Sequence, residues 1–158
     1  MAKTPSMCTS FMGELLTATH NFGTAPIRAA STADTFKGAL YLTTATINAS
    51  TTAYSATGEV TGTNYSAGGV SVGAWNAPTS TNSSATAGTA YTTPTASLTY
   101  TNVTLSTAFD TVLIYNSTQS NKAVSVHTFG SQTVTAGTFT LTMPSNTTST
   151  ALLRLATT

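Results

Sequence analysis

Charge is what this chain has least of. Its 158 residues include 5 Lys and Arg and 4 Asp and Glu, or 6% of positions, against about 25% in an average globular protein. Lys3, Arg28, Lys37, Lys122 and Arg154 stand singly, so no basic stripe exists to follow a nucleic-acid backbone. Glu14, Asp34, Glu59 and Asp110 fall in four different segments, and no spacing sets up the facing carboxylates that glycoside hydrolysis needs. The lone Cys8 permits no intrachain disulfide and reads as an ordinary thiol in a terminal arm. His20 and His127 lie far apart, with too few acids around them to suggest a zinc or calcium site. No apolar run approaches a membrane span, and "MAKTPSMCTSF" lacks the apolar core of a signal peptide, so the expectation is a chain made and used in a cytoplasm. Six Asn-x-Ser/Thr sequons, beginning at Asn48, Asn64, Asn82, Asn102, Asn116 and Asn146, are then read as the by-product of a Ser/Thr-rich composition.

What the chain does have is threonine, roughly a quarter of all residues, and with serine more than a third. The branched Cβ of Thr suits the pleat of a strand. Low charge alone would be compatible with disorder, but 40% hydrophobic residues and a net charge of +1 are not the disordered signature. The expectation is all-β. "TFKGALYLTT" sets Phe36, Leu40 and Leu42 on one parity. "GGVSVGAW" alternates Val70, Val72 and Ala74. "SLTYTNVTLS" alternates Leu98 and Tyr100 and then slips by one to Val103 and Leu105, which predicts a bulge near Asn102. "DTVLIYN" is a continuous apolar run, as in a strand covered on both faces. "AVSVHTF", "GTFTLTM" and "ALLRLA" complete the set, with "YNSTQSN" and "FGSQ" read as turns. Before them, Ser10 as N-cap with Phe11, Leu15 and Leu16 at helical spacing predicts a short N-terminal helix. The architecture that fits is an N-terminal arm over residues 1–9 and one β-sandwich over 10–158, jelly-roll-like, with a low-complexity loop or two-stranded extension at 75–94.

Chemistry is harder to find. "GEVTGTNYSAGG", from Gly58 to Gly69, has the glycines of a phosphate cradle but no Lys, and a strand rather than a helix follows it. It reads as a shaped connection, in which Glu59 and Tyr65 fix the bend or touch a partner. A Ser-His-Asp triad has few carboxylates to draw on. Neither catalysis nor a cofactor is expected. Asp110 is read as a turn cap, Lys122 as a turn lysine, Arg154 as the outward position of an edge strand, and His127 as facing solvent or an interface. Trp75 and Tyr91 are candidate anchors for the 75–94 segment. With Tyr65 they are also stacking platforms in an alternative reading as a carbohydrate- or receptor-binding sandwich.

Several blocks taken in order resemble a family of tailed-bacteriophage virion proteins. They are the opening Phe11, Leu15, Leu16, His20 and Phe22; the "ALY" strand at Ala39–Tyr41; the "TTAY…EV.GT.Y.AGG" block from Thr51 to Gly69; "LIYN…NKAV" from Leu113 to Val124; and the closing strand from Ala151 to Ala156. The similarity spans most of the chain outside the arm and 75–94. It implies a structural protein of the particle, similar to the small cement or decoration proteins on the outer surface of the head, with a tail, fibre or baseplate component as the alternative. The partners implied are the major capsid protein and neighbouring copies of the same chain, in a homo-oligomeric arrangement on the virion. Lys3, Phe11, Glu59, Tyr65, Trp75, Tyr91 and Arg154 are the residues singled out for such contacts. The 75–94 insertion and "HNFGTAPIRAAS", which lacks the acids usual after the helix, depart from the pattern.

Overall fold

A computed structural model of the chain describes residues 6–7, 15, 19–23, 33–82 and 88–156. In these residues the chain is all-β, and every ladder is antiparallel. The strands are β1 (Ser6–Met7), β2 (Phe36–Leu42), β3 (Val70–Ser71), β4 (Thr79–Asn82), β5 (Gly88–Thr92), β6 (Leu98–Asn116), β7 (Lys122–Leu141) and β8 (Leu153–Ala156). They form a five-stranded sheet in the order β1-β7-β6-β2-β3 and a three-stranded sheet in the order β4-β5-β8. The helix predicted behind Ser10 lies almost wholly outside the described residues, as do Lys3 and Phe11. No helix among the described residues is long and apolar enough to cross a membrane. The 75–94 segment carries β4 and β5, paired from Thr79↔Tyr91 to Asn82↔Gly88.

Two strands are far longer than their sequence patterns predict. "SLTYTNVTLS" and "DTVLIYN" join into the 19-residue β6, and "AVSVHTF" and "GTFTLTM" into the 20-residue β7. Asp110 therefore sits inside a strand rather than capping a turn, and "FGSQ" is strand too. Gly130 does not adopt the positive φ that would reverse the chain there, so the strand continues through it. The turn at "YNSTQSN" does form, with Ser120 and Asn121 at φ 53° and 58°.

Burial along β6 changes character midway. From Leu98 to Leu105 the inward Leu98, Tyr100, Val103 and Leu105 are separated by exposed or half-buried neighbours, whereas Thr111 to Asn116 are buried without interruption. The register slips between Tyr100 and Val103, again by Leu105 and again by Phe109. Thr101 and Asn102 carry no ladder partner at the first slip, and Asn102 has φ 53°, a bulge where the shift in hydrophobic parity predicted one. These irregularities let the hairpin fold over on itself. Gly38 pairs with Ile114 in the ladder, yet the Tyr100 hydroxyl donates to the Gly38 carbonyl at 2.8 Å. A side chain at Gly38 would collide with Leu98. Phe109 and Phe139 meet edge-on across the bend at 5.1 Å. Burying side chains of this size contributes roughly 1.5–3 kcal/mol each, so the bent hairpin with β2 supplies most of the core.

Candidate functional site

The stretch with the most unusual chemistry is Gly58–Gly69. Its Glu59 is only 7% exposed. The Tyr54 hydroxyl donates to Glu59 Oε2 at 2.6 Å, and the Tyr65 hydroxyl and Gly68 N–H donate to Oε1 at 2.8 and 2.7 Å. A buried carboxylate is costly unless it is hydrogen-bonded, and here three donors from two loops converge on it. The surrounding tyrosines extend the network. Tyr65 also accepts from Leu40 N–H at 3.0 Å, Tyr115 donates to the Gly68 carbonyl at 2.9 Å, and Tyr41 donates to the Ser55 carbonyl at 2.6 Å. Tyr54 stacks on Tyr115 at 4.8 Å.

Backbone bonds pin the same loop: Leu42 N–H to Gly58 O and Val60 N–H to Leu40 O, flanking the Tyr41↔Glu59 bridge. Gly69, at φ 74°, lies so close to the Gly38 carbonyl that no side chain fits between them. Burial, then the Glu59 charge, raises the ionisation of Tyr54, Tyr65, Tyr100 and Tyr115 above the usual phenol range. Burial is likewise the main cause that pushes Tyr41 up to about 12. The arrangement holds protons in place and ties loops to the sheet. Glu59 and Tyr65 thus fix the bend.

A second polar network clasps residues 19–23 onto the end of β6. Asn116, fully buried, donates through Nδ2 to Asp34 Oδ2 at 2.8 Å and lies 3.0 Å from His20 Nδ1. Its Oδ1 accepts from Thr118 and Gln119 N–H at 3.1 Å each. Gln119 Nε2 and Asn21 N–H also donate to Asp34, both at 3.1 Å. Beside this clasp Phe22 stacks on Phe36 at 4.8 Å, and Trp75 meets both edge-on at 4.8 and 5.4 Å. Trp75 is therefore a core residue that bridges to Pro94, not an exposed platform.

On the second sheet, Tyr91 and Arg154 are cross-strand partners. Tyr91 is half-buried and Arg154 exposed, its guanidinium donating to the Ser149 carbonyl at 2.7 Å. Arg154 lies on an edge strand, as its outward parity predicted. Beside the pair opens a groove of about 100 Å³, walled by Leu15, Phe22, Pro78, Ala90, Leu153 and Leu155. Leu155, 44% exposed, is the one large apolar side chain left open among the described residues. The candidate residues thus come together as two pairs, Glu59 with Tyr65 and Tyr91 with Arg154, while Trp75 stands apart.

Two further positions bear on chemistry. Contrary to the expectation that no Gly-x-Ser-x-Gly elbow is present, residues 69–73 read "GVSVG", which has that spacing. An elbow needs a strand-to-helix turn, and no helix follows Ser71 here. Its hydroxyl accepts from Gly73 N–H at 3.3 Å, while His20 and His127 are engaged with Asn116 and Ser125. His127, expected to face outward, is half-buried instead. It lies against Leu141, Met143, Pro144 and Leu152, and Nε2 is 2.9 Å from Ser125 Oγ. That apolar surrounding lowers its pKa to about 4. Among the described residues no three His, Cys, Asp or Glu side chains converge as a metal site would require. No family model, curated protein or solved structure matches the chain.

Proposed function

We propose that the chain is a structural subunit of a tailed-bacteriophage particle, and within it a cement protein on the outer surface of the head. The observation that carries the reading is where the resembling blocks meet. Ala39–Tyr41, Glu59, Tyr65, Gly68–Gly69 and Tyr115 are scattered through the sequence, yet they are the residues that lock together around the Glu59 carboxylate. Their meeting supports reading the likeness as one of scaffold rather than of Thr-rich composition. A body whose one buried acid among the described residues is committed to holding loops is suited to fitting against neighbours. The bent β6–β7 hairpin and the β4-β5-β8 sheet, joined through a core that includes Trp75 and Leu153, are read as the layers of a jelly-roll-like sandwich.

The partners in this reading are the major capsid protein and neighbouring copies. A contact of about 800 Å² per partner is ordinary for a stable interface, and many such contacts hold by effective concentration. Because the surface carries so few charges, attachment should depend little on salt. The test compares particles with and without the chain under heat and osmotic shock. Earlier loss of DNA from the depleted heads is expected; unchanged resistance, or labelling confined to the tail, refutes the head assignment.

A further inference from the structure

Among the described residues, pairing on the outer edge of β7 ends early. Ala53 pairs with Lys122, and β1 pairs at Met7↔Ser125 and Ser6↔Val126. From His127 to Leu141 no described residue pairs with that edge. An edge this long is normally guarded by lysines, acids or prolines that stop another chain from adding a strand. Here the stretch from Ala123 to Leu141 contains no Asp, Glu, Lys, Arg or Pro. Gly130, Ser131, Gln132 and Thr133 along it are exposed, and Val134 between flanking threonines keeps the strand pattern. Among the described residues the edge is unpaired, neutral and β-competent.

The described part of the strand that uses this edge is short. Among the described residues β1 meets β7 at two register positions. Ordering a residue costs about 1–2 kcal/mol of backbone entropy, while a ladder hydrogen bond contributes only about 0.5–1.5 kcal/mol net. Two positions therefore come close to cancelling. The first described contact of the chain with the body after β1 is Leu15, partly buried against the core, and the clasp of His20 and Asn21 with Asn116 and Asp34 follows it. The residues between Met7 and Leu15 reach up to about 25 Å when extended. That length can carry β1 to the same edge of a molecule packed alongside.

We propose that the outer edge of β7 is a strand-acceptor seat, and that the N-terminal strand β1 of a second copy of this chain occupies it. The exchange repeats identical contacts, so it carries little intrinsic penalty. Where copies stand side by side, the neighbour's strand competes with the resident one on local concentration alone. Each molecule then offers one strand and one seat, which links copies in a ring or a chain. The inference deepens the reading of the chain as a subunit among copies. Its test uses the isolated protein, so the two can fail separately.

The test is a cysteine trap in a Cys8→Ser background. Facing residues in a ladder have Cβ atoms near the separation a disulfide needs. A chain carrying Met7→Cys and a differently tagged chain carrying Ser125→Cys are mixed, oxidised and run without reductant. A crosslinked heterodimer is expected, rising with concentration and about tenfold above a control pairing Met7→Cys with exposed Thr61→Cys. Failure of the heterodimer to exceed that control at any concentration overturns the exchange. The double variant Met7→Cys/Ser125→Cys closes on itself in dilute solution if the seat is correctly placed, and failure to close at all overturns the seat. Should Ser125→Cys unfold the body, Ser6→Cys with Val126→Cys tests the adjoining register position with the same outcomes.

Discussion

Removing the Glu59 carboxylate should cost more than any other single surface-distant substitution of similar size in the connecting loops. In Glu59→Ala, the Tyr54 and Tyr65 hydroxyls and Gly68 N–H lose their acceptor together. Hydrogen bonds to a charged group contribute about 1.5–3 kcal/mol each, and these three share one acceptor, so their sum is not additive. Tyr65 keeps its bond from Leu40 N–H, and Tyr54 is partly open to water. The expected cost is about 3–5 kcal/mol, in the range of breaking a buried charged cluster. A chain of this length loses about 2–4 °C of Tm per kcal/mol, so the melting point should fall by about 10 °C. Glu59→Gln separates charge from shape. Its amide oxygen still accepts from Tyr65 and Gly68, and its NH2 faces Tyr54, whose hydroxyl can turn to accept; the cost should be about 1 kcal/mol. Urea melts followed by near-ultraviolet circular dichroism measure both, and hydrogen exchange at the Gly68 amide reports whether the loop has lifted. A Glu59→Ala variant within about 1 kcal/mol of the parent, with Gly68 still protected, would refute the reasoning.

Alkali should unfold the protein through its tyrosines. Their folded pKa values are raised above the unfolded value of about 10, so the stabilisation is complete below pH 10 and is lost as pH climbs through the folded values, with Tyr41 near 12. Absorbance at 295 nm should then rise together with unfolding, and phenolate appearing well before unfolding would count against a sealed network. Acid acts through His127. Its folded pKa of about 4 lies below the unfolded 6.5, so stability is full above pH 6.5 and declines as pH falls through 4. His127→Gln should flatten that slope in urea melts between pH 6.5 and 4; an unchanged slope would remove His127 as its source. Gly69→Ala forces a side chain against the Gly38 carbonyl at a positive φ and should cost about 3 kcal/mol or more in a thermal melt. Leu155→Asp, on an exposed position, should shift stability by less than about 0.5 kcal/mol while weakening attachment to particles in a pull-down; loss of stability without loss of attachment would make the groove part of the core.

Strand existence was legible wherever hydrophobic parity was clean. Phe36–Leu42, the doubly covered Thr111–Asn116 and the bulge at Asn102 all follow from alternation or its slip. Continuity was not legible. Nothing in "STAF" or "FGSQ" says whether the chain reverses, and Gly130 resembles a turn residue until its φ is known. The role of Glu59 was half visible. A lone acid between glycines, with Tyr54 and Tyr65 nearby, marks a special position, but Tyr115 and Gly38 join it only through the fold. The anchoring of the 75–94 segment by Trp75 was legible, but its packing partners Phe22 and Phe36 lie more than thirty positions upstream and left no local trace. The clasp between His20 and Asn116 spans 96 positions and leaves no local trace.

The most direct check is to count this chain in purified particles against the major capsid protein on a calibrated gel. Copies comparable in number to the shell subunits are expected of a subunit that works by fitting side by side over a head. Only a few copies per particle, or none, would contradict it.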